Sequence, residues 1–338
     1  MKFHAALMLS ALALVGCGGG SGGGSSVASD TTEPVTDFEY ENPNPNYRES
    51  REVYGTIGDG NAALIAEEVV QIMSFLALEG KRFFDVSNES VYDDNRSQVS
   101  TTEAYECLFG GGWARYIYSP SNKGVAGNAV LAGGDTEDLY FYTCGDENLS
   151  AGVYLDGHRR TEVLSGVYDG DGPVTDNTDV KFEYKQMTTY SYTRHFIYWD
   201  GDIRYTVSGN AVAINASDLD IKERYSIFEV EFGVTNLKAT VMKGKYNDGY
   251  WDTFELSAQP GLTIDARKSG YLLDVEIMEP LLINTIQGEF LTDGVIKVTS
   301  DQGTLTVTIE DSGALWELDT DGLPGAEMNG TISRAYYR

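Results

Sequence analysis

The chain has 338 residues, with 52 Asp and Glu against 24 Lys and Arg, a formal net charge of −28 at pH 7. So large a negative surplus repels phosphate backbones and anionic lipid surfaces, which argues against nucleic acid as a partner and against a basic membrane-binding patch. The length is ample for a sizeable core.

The first element is apolar. "MKFHAALMLSALALVGC" opens with one fixed cation, Lys2, and continues through a short hydrophobic run from Ala5 to Val15. A bilayer-spanning helix needs about 20 such residues. The length and charge order fit a secretory signal peptide over residues 1–16. Leu14-Val15-Gly16-Cys17 resembles the lipobox of bacterial lipoproteins. That resemblance implies cleavage before Cys17, a diacylglycerol on its thiol and a further acyl chain, such as palmitate, on the new amino terminus. Several chains give stable anchoring. Gly18, rather than Asp, after the cysteine implies sorting to the outer membrane, with the membrane face left open. Loss of Lys2 leaves 23 basic against 52 acidic residues, a charge of −29. Residues 17–48 read as the lipidated cysteine and a Gly/Ser/Pro tether, followed by a domain over 49–338.

One helix is expected at about 61–79. Asn61 is its N-cap candidate and Gly80 its C-cap candidate. Ile65, Val69, Ile72 and Leu76 recur at helical spacing, with Glu67, Gln71 and Ser74 on another face. Such an amphipathic helix is expected to lay its apolar stripe on the core.

After Gly80 the chain reads as strand. Phe228, Val230 and Phe232 alternate with Glu229 and Glu231, and Leu305, Val307 and Ile309 alternate with threonines, the period of half-buried strands. "YLDG" (154–157), "YWDG" (198–201), "YNDG" (246–249) and "LTDG" (291–294) recur at intervals of 44, 48 and 45 residues. Each reads as a hairpin turn. Each is followed by a small-residue break, at Ser165-Gly166, Ser208-Gly209, Ser257-Ala258 and Gly303. Units of about 45 residues from about residue 140 are one reading, and chance recurrence the other. The expected architecture is mainly antiparallel all-β: a large curled sheet or partly closed barrel with one N-terminal amphipathic helix, or a β-sandwich.

Cys107 and Cys144 form an even pair in an oxidising compartment and are expected to be disulfide-bonded. Their closed loop of about 38 residues would contribute roughly 4 kcal/mol in the chain-entropy model. Catalytic signatures are lacking. His158 follows a predicted turn and His195 sits in a strand-like run, with no nucleophile elbow for either. "FGGGW" (109–113) lacks the Lys and Ser/Thr of a phosphate loop. Trp113, Trp199, Trp251 and Trp316 are either core residues or a sugar platform.

Calcium is the one ion to weigh. "DTDGLPGAE" places Asp319, Asp321 and Glu327 in an oxygen-rich turn, and "DGDGPVTDNTD" (169–179) has the same character. Neither keeps the EF-hand spacing, so both read first as acidic turns. The tail "GTLTVTIEDSGALWELDTDG" (303–322) resembles those of acidic, β-rich lipoproteins of Gram-negative bacteria, a class with no single function. The leading expectation is a lipid-anchored, non-catalytic binding or structural protein of the outer membrane, with an envelope protein as its partner. The alternatives are a carrier of a lipid or other apolar ligand, resembling the half-barrel of bacterial lipoprotein carriers, and a hydrolase of envelope polysaccharide.

Overall fold

The computed structural model describes residues 56–84, 99–106, 112–119, 131–146, 153–168, 173, 177–191, 195–225, 228–244, 246–247, 250–251, 253–284, 290–300, 303–322 and 325–333. Cys17, the tether and Cys107 lie outside them. Among the described residues one helix, α1 (Ala62–Arg82), precedes nineteen strands. These are β1 (Val99–Glu106), β2 (Gly112–Ser119), β3 (Leu131–Ala132), β4 (Thr136–Asp146), β5 (Val153–Ser165), β6 (Val167–Tyr168), β7 (Asp179–Ser191), β8 (His195–Ser208), β9 (Ala211–Tyr225) and β10 (Phe228–Lys243). They continue as β11 (Tyr246–Asn247), β12 (Tyr250–Trp251), β13 (Thr253–Ala258), β14 (Leu262–Ala266), β15 (Tyr271–Asn284), β16 (Phe290–Ser300), β17 (Gly303–Glu310), β18 (Gly313–Asp319) and β19 (Met328–Ser333).

Fifteen strands form one antiparallel sheet in the order β1-β2-β4-β5-β7-β8-β9-β10-β13-β15-β16-β17-β18-β19, with β14 pairing β10 and β15. Each main strand pairs with the next in sequence, so the sheet is one long meander. The pairs β3–β6 and β11–β12 stand apart from it. The sheet curls without closing: β1 and β19 remain its two edges.

The curl is set by α1. The helix packs against β9, β10, β13, β14, β17, β18 and β19, strands far apart in the sheet order that can meet one helix only if the sheet bends round it. Ile65, Val69, Ile72 and Leu76 are buried as the periodicity requires, and so are Ala66, Val70, Met73 and Ala77 on the remaining faces. The single stripe expected from the sequence is therefore an almost complete jacket, because strands reach the helix from several sides. Gln71 and Ser74, expected on another face, are buried as well. Glu68 is buried too. Its carboxylate accepts the backbone N–H groups of Lys268 and Ser269, each at 2.9 Å, and so clamps the turn between β14 and β15 to the helix.

Asn61 holds the N-cap position expected of it, whereas the C-terminal cap differs from expectation. Asn61 precedes the helix, but its side chain makes no cap bond. Its Oδ1 accepts from Gly58 N at 2.8 Å, and its Nδ2 donates to the Tyr271 hydroxyl at 2.6 Å. Gly80 does not end the helix, which runs on to Arg82. A methyl group there would meet Val241 Cβ at 2.9 Å and Ile214 Cδ1 at 3.0 Å, so glycine permits the close approach of helix and sheet.

The Asp-Gly dipeptides are the main correction. Three of the four lie inside strands, in β5, β8 and β16, rather than at turns. The ladders slip there, between Asp156 and His158, between Gly201 and Arg204, and across Glu279 to Ile283 opposite Asp293-Gly294. Gly157, Gly201 and Gly294 have φ of +104°, +110° and +120°. These are bulges, which need the left-handed freedom a hairpin turn also needs, and which bend the strand and increase its twist. Only "YNDG" falls between two paired strands, β11 and β12, and its Asp248 and Gly249 lie outside the described residues. The strands break instead at the small-residue sites: β5 ends at Ser165, β8 at Ser208 and β13 at Ala258, and β17 begins at Gly303.

Candidate functional site

Side chains alternate across each strand, so residues not in the core gather on the outer face. On β4, Glu137, Leu139 and Phe141 are buried while Asp138 and Tyr140 point the other way. On β5, Arg159 and Thr161 are buried while His158 and Arg160 face out. On β2, Ile117 is buried between Tyr116 and Tyr118. The register aligns Tyr116, Asp138 and Arg160 across three strands and sets Tyr140 opposite His158.

The outward side chains form a connected group. Tyr140 and His158 stack with ring centroids 4.2 Å apart and planes 5° from parallel. Tyr116 meets Tyr140 edge-on at 5.7 Å. Asp138 places Oδ1 2.9 Å from His158 Nε2 and accepts from Arg160 Nη1 on Oδ2 at 3.5 Å. The carboxylate thus orients both the imidazole and the guanidinium. Tyr116 and Tyr118 keep 44 % and 57 % of their surface exposed. Tyrosine on a solvent-facing strand is common, but here Tyr116 adjoins a stacked pair held by the Asp138 carboxylate, and Tyr118 stands exposed two residues on.

Directly behind, on the inner face, Arg159 donates to Glu137 at 3.1 Å, both side chains being buried. Burial opposes the guanidinium charge, but Glu137, with Tyr168 and Tyr184 nearby, outweighs it and strengthens the hold on the proton. Further along the outer face, Arg267 bridges Asp220 and Asp265 over Gly233, and Lys222 pairs with Glu231. This network sits on the strands that wrap the helix and braces them.

The acidic loop chosen from the sequence does come together. Carboxylate oxygens of Asp319, Asp321 and Glu327 lie within 4.8 Å of one another between β18 and β19. Asp319 Oδ1 already accepts the backbone N–H of Asp321 at 3.2 Å and of Gly322 at 2.7 Å. Glu327 Oε2 accepts from Thr320 N at 3.1 Å and from the Thr320 hydroxyl. These are turn-closing bonds of the kind Asp makes in loops. They occupy lone pairs that a calcium ion, with six to eight oxygens to find, would compete for. In the second acidic stretch, Asp179 is an ion-pair partner of Arg204, accepting from Nε at 2.8 Å, while 169–172 and 174–176 lie outside the described residues.

Trp199 and Trp316 are buried in the core, Trp199 against Phe75 and Tyr184, so neither serves a sugar platform. The side chains of Trp113, Trp251 and His195, and most of "FGGGW", lie outside the described residues. Cys144 is buried and disulfide-bonded. The tyrosine group went unnoticed in the sequence. Its trace was the alternation in "ARYIYS" and "TEDLYFY", which marks the two faces without saying which is wet.

No family model matches the chain, and neither does any curated protein or solved structure.

Proposed function

We propose that this protein is a lipid-anchored, non-catalytic binding protein of the Gram-negative cell envelope, holding its ligand on the outer face of β2, β4 and β5. The lipobox-like Leu14-Val15-Gly16-Cys17 supports the anchor. The observation that carries the binding surface is the exposed pair Tyr116 and Tyr118 beside the ordered His158–Asp138–Arg160 group. An apolar-ligand carrier would use the inner face, and α1 occupies that face along β9 to β19.

Two measurements test this. Fractionation of cells expressing the chain should find it with the outer membrane, and Cys17→Ser should release it to the soluble fraction. Labelled Cys17→Ser protein, freed of the anchor, should bind isolated envelopes, and Tyr116→Ala combined with Tyr118→Ala in that background should abolish the binding without lowering the melting temperature. Unchanged envelope binding by the double variant removes the assigned surface.

A further inference from the structure

We infer that the ligand of this surface is a neutral saccharide chain, an inference that rests on the binding reading above. A sugar ring has two chemistries: an apolar face of C–H groups and a rim of hydroxyls that donate and accept. The surface offers the complement of both. Tyr116 and Tyr118 supply exposed ring area on the same face of β2, two residues or about 7 Å apart, the scale of one sugar residue. Aromatic rings attract the polarised C–H groups of such a face through their negative π-surface.

The polar groups sit beside the rings. Asp138 lies across from Tyr116 in the register and Arg160 across from Asp138. Together they present an acceptor and a multiple donor, the pair that vicinal hydroxyls require. Their mutual bond and the His158 contact fix them before any ligand arrives. Preorganised groups of this kind cost little to order on binding.

Charge narrows the class. Arg160 is matched by Asp138, and the next residue in the row, Glu183, is taken by Lys181 at 2.7 Å. Lys185, exposed across from His158, is a further cation beside the rings, but it stands against the field of a chain of net charge −28, which repels a uronic or phosphorylated polymer. Area argues against a protein partner. Two rings of about 200 Å² each, half exposed, offer roughly 200 Å² of apolar surface, against the about 800 Å² that each side of a stable protein interface buries.

The test is affinity electrophoresis of the full-length protein in non-ionic detergent, through gels containing a soluble β-glucan, mannan, glycol chitin or alginate. At least one of the three neutral polymers should retard the wild type. Tyr118→Ala should weaken that retardation about tenfold and Tyr118→Trp should preserve it, the melting temperatures remaining equal. Failure of all three neutral polymers, retardation by alginate alone, or indifference to Tyr118→Ala overturns the saccharide assignment. Should the neutral polymers fail while tyrosine-dependent envelope binding persists, the ligand class is wrong and the surface stands. Should envelope binding be absent too, both are wrong.

Discussion

Replacing Gly80 by alanine tests the packing on which the functional reading depends. In an exposed helix the change would stabilise by about 1 kcal/mol, since alanine loses less backbone freedom. Here the new methyl group would lie 2.9 Å from Val241 Cβ and 3.0 Å from Ile214 Cδ1, both side chains fully buried. Overpacking of a rigid core costs about 1–3 kcal/mol, and overlap this deep belongs at the upper end. The expected net loss is about 2 kcal/mol, or a melting temperature lower by about 4–8 °C for a domain of this size. Val241→Ala alone should cost about 2 kcal/mol through lost burial and a cavity. The double variant should be less destabilised than the sum by at least about 1 kcal/mol, because the added methyl occupies the vacated space. Calorimetry of all four proteins gives the cycle. A higher melting temperature for Gly80→Ala, or strict additivity, would mean that helix and sheet are not in contact. The inner face would then have room for an apolar ligand, and the carrier reading would replace the one proposed.

Gly201→Ala should destabilise by about 3 kcal/mol, since φ is +110° and the methyl would meet Leu219 Cα at 2.9 Å, whereas Gly209→Ala, at φ +56° in open space, should cost only about 1 kcal/mol; equal losses in denaturant titrations would refute the bulge assignment. Glu137→Gln should cost about 3 kcal/mol by leaving the Arg159 charge buried without its counterion, while Glu137→Leu with Arg159→Met should recover most of the loss, as read by thermal melts. Desolvation raises the Glu68 carboxyl above its ordinary 4.5, against the pull of Ser269 and Lys268. A carboxyl with a raised folded-state value contributes stability that is complete below the unfolded value and lost as pH rises through the folded one. The stability of wild type relative to Glu68→Gln should therefore fall as pH climbs above about 4.5; a flat or rising difference would contradict the burial.

The strands were legible because alternation is local. Leu305, Val307 and Ile309 are buried and the threonines between them half-buried, as the period of two requires. The helix was legible for the same reason, through Ile65, Val69, Ile72 and Leu76. What escaped was whatever depends on a neighbour distant in sequence. An Asp-Gly pair announces a residue with positive φ, and both a hairpin turn and a bulge satisfy that demand. Only the slipped register of β7 against Gly157, or of β9 against Gly201, decides between them. Burial of Gln71 and Ser74 likewise follows from the curl of the sheet. The outer tyrosines could be assigned to one face of β2 from the pattern, but that this face is the wet one follows only from the burial of Ile117 on the other. The grouping of Asp319, Asp321 and Glu327 was readable because all three lie within nine residues of chain.

The meander also fixes an order of events for a chain that emerges from its N-terminus during synthesis. Each hairpin can zip onto its predecessor as it emerges, since every main strand pairs with its neighbour in sequence. The helix cannot be sheltered so early. It emerges first, yet the surfaces that cover it include Trp199 on β8 and run on through β9 to Ser333. Until the last strand is made the chain carries an apolar helix awaiting its coat, the kind of exposed surface that turns a folding chain toward aggregation.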